Sequence, residues 1–189
     1  MSMAPSQRSS EFTPARIIIV MGVSSSGKST VGQSIARRLH APFLDGDGYH
    51  PPANVEKMRA GIPLTDEDRW PWLAALAAAL AEAAERKGVS VGACSALRRI
   101  YRDYLVEKAG EPILFVHLQG TREVIRERMA GRKHEYMPLS LLDSQFATLE
   151  VPDPATENVL PVPVTDSVEK ITQTVTKAVD HLRSFKRWQ

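Results

Sequence analysis

Hydrophobic positions in this chain fall into two alternating patterns: short unbroken apolar runs, and longer stretches in which apolar residues recur every three or four positions. The first run, Ile17 to Met21, is rich in β-branched residues and stops at Gly22, as a strand buried on both faces of a parallel sheet does. Helical spacing follows at once over Ser29 to His40, through Val31, Ile35 and Leu39, and ends before Pro42. Phe43-Leu44, leading into Asp45-Gly46-Asp47, reads as a second strand. From His50 to Asp68 the chain is polar and broken by Pro51, Pro52, Gly61 and Pro63, with a short helix over Asn54 to Ala60 capped by Asn54. Pro71 then opens an Ala-rich helix, Trp72 to Arg86, closed by Gly88. Val89 to Cys94, Ile113 to Leu118 and Val159 to Val164 are strand-like, whereas Leu97 to Ala109, Thr121 to Met129, Leu139 to Leu149 and Val168 to Phe185 are helical. About five strands alternating with helices predict an α/β fold with a doubly wound parallel sheet flanked by helices, since parallel neighbours need crossovers.

A chain of 189 residues with 43% hydrophobic content suits one domain with its own core, expected over 17–189 behind a polar tail, 1–16, that lacks an apolar signal core. The longest aliphatic run, Ile17 to Val20, is far short of the ~20 residues of a membrane span, so no membrane partner is expected. A net charge of +2 and 6% aromatic residues leave neither a basic face nor an aromatic-lined channel for nucleic acid. A single cysteine, Cys94, excludes an internal disulfide and points to a reducing, cytoplasmic address.

The chemistry starts at Gly22-Val23-Ser24-Ser25-Ser26-Gly27-Lys28-Ser29, which fits G-x-x-x-x-G-K-[ST] in full, between a strand and a helix. The motif predicts an ATP phosphate cradle formed by Gly22, Ser24, Ser25, Ser26, Gly27, Lys28, Ser29 and Thr30. Lys28 would neutralise the β/γ oxygens and Ser29 would offer an oxygen to Mg²⁺. Asp45 and Asp47, two apart on an extended segment at a strand end, are placed to share work: Asp45 in the Mg²⁺ shell, Asp47 near an acceptor hydroxyl.

Beyond this loop, Gly46-Asp47-Gly48-Tyr49-His50-Pro51 with Asn54 and Lys57-Met58 forms a first block, and Gly61-Ile62-Pro63-Leu64 with Asp66, Asp68-Arg69 and Pro71-Trp72-Leu73 a second. A third is Cys94-Ser95-Ala96-Leu97 with Tyr101-Arg102-Asp103, and a fourth Met137-Pro138, Leu141-Leu142, Ser144-Gln145-Phe146 and Leu149-Glu150. Together these blocks resemble the gluconate kinase (gluconokinase) family over roughly residues 17 to 150. The resemblance implies a P-loop kinase fold like that of shikimate and nucleoside-monophosphate kinases, with a substrate-binding insertion at about 48–70 and a lid at about 122–138. It implies ATP-dependent phosphorylation of D-gluconate at its terminal hydroxyl, giving 6-phospho-D-gluconate, and it admits a homodimer. Asp47, His50, Arg69, Ser95, Arg98 and Arg102 are then substrate-binding candidates, an arginine fork being suited to the gluconate carboxylate. The catalytic set is Lys28, Asp47, Arg128 and Arg132, the two arginines lying four apart on one helical face that would close over ATP.

Other readings stand beside these. Arg69 also suits an ion pair at a helix start, and Arg102 a surface pair with Asp103. The sequence departs from the family pattern at Ser25 (Gly), at Arg98 (Lys) and in His134-Glu135-Tyr136-Met137. Shikimate kinase, a related class, has no counterpart to the His50 to Leu73 insertion. A gluconate-binding switch without turnover would have no need of Asp47.

Overall fold

A computed structural model describes residues 13–130 and 139–185, with only the backbone of residue 139 and of 181–185. Five strands, β1 (Ile17–Met21), β2 (Phe43–Asp45), β3 (Ser90–Ala93), β4 (Ile113–Gln119) and β5 (Val159–Pro163), form one sheet in the order β2-β3-β1-β4-β5. Every pairing is parallel; Ile17 lies opposite both Ser90 and Ile113, so β1 is the central strand, and all five of its residues are buried. Among the described residues the crossovers carry α1 (Lys28–Leu39), α2 (Pro52–Arg59), α3 (Asp66–Lys87), α4 (Arg99–Ala109), α5 (Arg122–Ala130) and α6 (Leu139–Thr148), and α7 (Val168–Phe185) follows β5.

Alternation along β1 divides the core. Ile18 and Val20 face Val31 and Ile35 of α1 and Val175 of α7, whereas Ile17, Ile19 and Met21 face Leu73, Leu76 and Leu80 of α3 and Leu105 of α4. The doubly wound α/β architecture expected from the alternation is therefore present.

Two local expectations are corrected. The Ala-rich helix begins at Asp66 and not at Trp72, because Thr65 and Asp68 form a reciprocal capping box, and Pro71 lies inside the helix, where its ring nitrogen forfeits one backbone bond. Asn54 does not cap α2. It sits within the helix, 3% exposed, and its amide donates to the Asp68 carbonyl at 2.8 Å, tying the insertion to the start of α3. At the N-terminal side, the last residues of the expected tail are held: Thr13 exchanges hydrogen bonds with Asn158, and Arg16 pairs with Glu111 at 2.9 Å. The rest of that tail, 1–12, lies outside the described residues, as does Gly131 to Pro138.

His117 on β4 is 3% exposed, and its Nδ1 has no partner among the described residues. Burial, reinforced by the nearby Arg102 charge and opposed by Glu157, lowers its pKa from 6.5 to about 4. The unfolded chain takes up this proton near 6.5 and the folded chain only at about 4, so between the two the unfolded state binds more protons. Stability from this group is complete above about 6.5 and is lost as pH falls through that window, by up to about 3 kcal/mol. His117→Leu should therefore lose less stability than the wild type between about pH 7 and about pH 5, as read by urea denaturation. Equal slopes for the two proteins would exclude His117 as a source of acid sensitivity.

Candidate active site

The phosphate-loop motif leaves the end of β1 and runs into the first turn of α1. Gly27, at φ +98°, takes the left-handed position just before α1, and no side chain caps that helix end. Its first N–H groups thus face outward, as phosphate oxygens require. Lys28 Nζ folds back to the Val23 carbonyl at 3.0 Å. Ser29 Oγ donates to Asp45 Oδ2 at 2.8 Å, so the two residues expected around Mg²⁺ stand side by side.

Asp45 and Asp47 do not share an extended segment. The chain turns at once into a 3₁₀ turn, Gly46–Tyr49, which Asp45 caps by accepting the Asp47 N–H at 3.1 Å. Asp45 consequently faces Ser29, while Asp47 lines a separate cavity. Only glycine fits between them: a Cβ on Gly46 would lie 2.4 Å from the Ala93 carbonyl oxygen. Trp72 Nε1 fixes the same turn by donating to the Gly46 carbonyl at 2.7 Å.

The cavity measures about 550 Å³ and lies between the phosphate loop, the insertion, α3, the β3–α4 loop and α6. Lys28, Asp47, His50, Arg69 and Ser95 all line it, so four of the six expected substrate-binding residues converge beside the phosphate-loop lysine. The His50 ring stacks on Trp72 at 4.0 Å and 19°. Burial lowers the His50 pKa, Asp47 opposes the shift and Arg69 adds to it, which leaves a neutral imidazole at neutral pH. Arg69 donates from Nη2 to the Leu64 carbonyl at 3.1 Å, and its Nε is buried with no partner among the described residues. Arg69 forms no ion pair with Asp66 or Asp68 at the start of α3, because both are taken. Asp66 accepts from Tyr101 at 2.5 Å and Arg98 at 2.7 Å, and Asp68 accepts from Lys57 at 2.8 Å.

Two expected substrate residues stand elsewhere. Arg98 does not line the cavity; it spans Asp66 and Glu150, the latter at 3.5 Å, and Tyr101 and Asp66 raise its pKa. Arg102 is 1% exposed and is spent on Glu157 and on the carbonyls of Ala96 and Leu97. Its expected partner Asp103 pairs with Arg99 at 3.5 Å instead. On the nucleotide side, Arg128 reaches from α5 to the Ser26 carbonyl at 3.5 Å and to the Val164 carbonyl after β5. Arg132 lies outside the described residues, together with most of the expected lid loop.

With this geometry in view, comparison with known proteins is decisive. The AAA domain family matches residues 17–152. The chain is 44% identical over 156 residues to the thermoresistant gluconokinase of Escherichia coli (strain K12), covering 82% of this chain and 88% of that protein. It is 49% identical over 139 residues to the gluconokinase of Gluconobacter oxydans (strain 621H), covering 72% and 76%. The chain belongs to the gluconokinase family. A solved gluconokinase from Sinorhizobium meliloti 1021 superposes with a TM-score of 0.79 at 44% identity, covering 95% of this chain and 98% of that one. A shikimate kinase from Aquifex aeolicus vf5, at TM-score 0.54 and 18% identity over 87% of this chain and 96% of that one, shares the fold alone.

Two site residues escaped the sequence reading. Trp72, which the sequence offers only as part of a helix and a sequence block, is 4% exposed and supports His50 and the 3₁₀ turn. Gln145 of α6 clamps the phosphate loop, its Oε1 accepting the Ser24 N–H at 2.6 Å and its Nε2 donating to Ser24 Oγ at 2.8 Å. Cys94, at the end of β3, is fully buried, and burial pushes its thiol up to about 12.

Ser25 is held at φ +61°, a left-handed position that costs a side-chain-bearing residue about 1–2 kcal/mol. Ser25→Gly should relieve part of that strain and raise stability by about 0.5–1 kcal/mol in urea denaturation, the gain being limited by the entropy of glycine in the unfolded chain. A fall in stability would show that the serine side chain contributes more than its backbone costs.

Proposed function

We propose that this chain transfers the terminal phosphoryl group of ATP to the terminal hydroxyl of D-gluconate, releasing ADP and 6-phospho-D-gluconate. The observation that carries the reading is Arg69: a cation with a buried, unpartnered Nε, opening into a cavity that also reaches Lys28 and Asp47. Such a cavity suits a ligand with a carboxylate at one end and a hydroxyl at the other, and the curated relatives are named gluconokinases. The cavity belongs to the kinase unit expected over 17–189: the insertion at about 48–70 forms its acceptor side, and Arg128 of α5 reaches the phosphate loop at the ATP end.

In this mechanism Arg69 binds the gluconate carboxylate, and neutral His50 and Ser95 hydrogen-bond its hydroxyls. Asp47 accepts the proton of the terminal hydroxyl as that oxygen attacks the γ-phosphorus, and the bond to the ADP oxygen breaks. The transition state is loose, so Asp47 acts as much by aiming the hydroxyl as by its basicity. The phosphate-loop N–H groups and Lys28 hold the β- and γ-phosphates, with Arg128 meeting charge that spreads on the transferring group; the same role is proposed for Arg132, which lies outside the described residues. The Ser29 hydroxyl and Asp45 carboxylate are the hard oxygen donors that Mg²⁺ favours, 2.8 Å apart at the phosphate end, and would hold that ion, which when bound neutralises charge on the phosphate oxygens. A cytoplasmic address fits the reaction, since ATP is found there; no helix among the described residues is long and apolar enough to cross a membrane.

Coupled ADP-release assays across gluconate, other sugar acids, shikimate and nucleoside monophosphates test the reading, with fastest turnover expected on gluconate. Faster turnover on any other acceptor overturns the substrate assignment. Asp47→Asn should cut kcat by about 10² or more with little change in the KM for ATP, in the range of general-base loss. Asp45→Asn should instead raise the Mg²⁺ requirement, and rescue of the Asp47 variant alone by excess Mg²⁺ would reverse the two roles. Arg69→Lys keeps the charge but loses the fork, so it should raise the KM for gluconate by about tenfold while kcat changes less. An unchanged KM would remove Arg69 from the carboxylate site.

A further inference from the structure

The buried fork of Arg102 is the strongest polar feature that the proposed chemistry leaves without a task. Its Nε and Nη2 donate to the two carboxylate oxygens of Glu157 at 2.6 and 3.1 Å, and its Nη1 donates to the carbonyls of Ala96 at 2.9 Å and Leu97 at 3.2 Å. Both ends of the pair are buried, with side chains 2% and 8% exposed. Burial pushes the Glu157 carboxyl up, but the hydrogen bonds and charge of Arg102 outweigh it, so the acid stays ionised opposite the guanidinium.

Ala96 and Leu97 belong to the loop between β3 and α4 that brings Ser95 and Leu97 to the cavity wall. Ala96 is held at φ +44°, a conformation that a residue with a Cβ avoids unless its surroundings impose it. The Ser95 carbonyl in turn accepts the Gly22 N–H of the phosphate loop at 3.3 Å, and the Leu97 carbonyl also accepts the Glu150 N–H at 2.9 Å. A continuous polar line thus runs from Glu157, just before β5, through Arg102 to the wall of the acceptor cavity and on to the phosphate loop.

We infer that Arg102, anchored by Glu157, is a positioning residue for the acceptor: through the carbonyls of Ala96 and Leu97 it imposes the left-handed turn that sets Ser95 and Leu97 against the acceptor. A buried ion pair contributes little net stability over an apolar pair of similar volume, so folding alone does not demand these two charges. A lysine would keep the charge. It cannot hold a carboxylate with two parallel bonds while serving two carbonyls from another edge, and only a guanidinium does both. The inference rests on the gluconate reading of this cavity.

The test uses the full chain as Arg102→Lys and as the double variant Arg102→Met/Glu157→Leu, with melting temperature, kcat and both Michaelis constants measured for each. The double variant should melt within a few degrees of the wild type, because both charges leave together. Both variants should raise the KM for gluconate by about tenfold through misplacement of the loop, while the KM for ATP stays within about twofold. A folded variant with an unchanged gluconate KM overturns the inference, as does an equal rise for both substrates. Failure of both variants to fold overturns it too, since the pair would then serve the fold alone. Wild-type protein that does not phosphorylate gluconate is a different failure, that of the acceptor reading, and shows before any variant is made.

Discussion

The parallel ladder that holds β1 between β3 and β4 is the constraint on which the remainder of the site depends. Parallel neighbours end at the same edge of the sheet, so the loops after β1, β2 and β3 are forced together without any sequence proximity. The phosphate loop follows β1, the Asp45–Asp47 turn follows β2, and the Ser95 loop follows β3. Their mutual contacts, Ser29 with Asp45 and the Gly22 N–H with the Ser95 carbonyl, are consequences of strand order first and of side-chain chemistry second.

Within that frame, charges are handled in two ways. Those with a structural task are paired inside the protein: Arg102 with Glu157, Arg98 with Asp66, Lys57 with Asp68. Arg69 differs, since its sequence neighbours Asp66 and Asp68 are claimed by other partners. Its Nε has no partner among the described residues, which is costly in the free protein, and in the proposed binding mode the substrate carboxylate would offset that cost. In that proposed mode the stability forgone at Arg69 would be recovered when the anion enters, so affinity and specificity would arise from the same group.

How much of this was legible in the sequence depends on whether the signal was local. The buried strand Ile17–Met21, the terminal helix Val168–Phe185 and the phosphate loop lie within a few residues of their own cues, and each was read with correct or nearly correct bounds. The start of α3 was misplaced because Pro71 looked like a helix opener, while the stronger signal, Thr65 three residues before Asp68, sat inside a stretch taken for loop. Arg98 and Arg102 were assigned to substrate because their partners are remote in the chain: Asp66 is 32 residues away and Glu157 is 55. Gln145 and Ser24 are 121 residues apart, and no spacing rule joins them. The family resemblance supplied which residues matter; only the fold showed which of them face the cavity and which face one another.

Cys94 carries a practical consequence of a different sort. It is the single cysteine of the chain, it is buried at the end of β3, and its thiol is held almost wholly protonated at physiological pH. Thiol-directed alkylating and oxidising reagents act on exposed thiolates, so buried Cys94 offers them no target. A cysteine introduced on the surface, for instance on the exposed face of α4 or α5, would be the only site to accept a fluorophore or spin label. The fold therefore comes ready for distance measurements across its acceptor cavity, with no background thiol to remove.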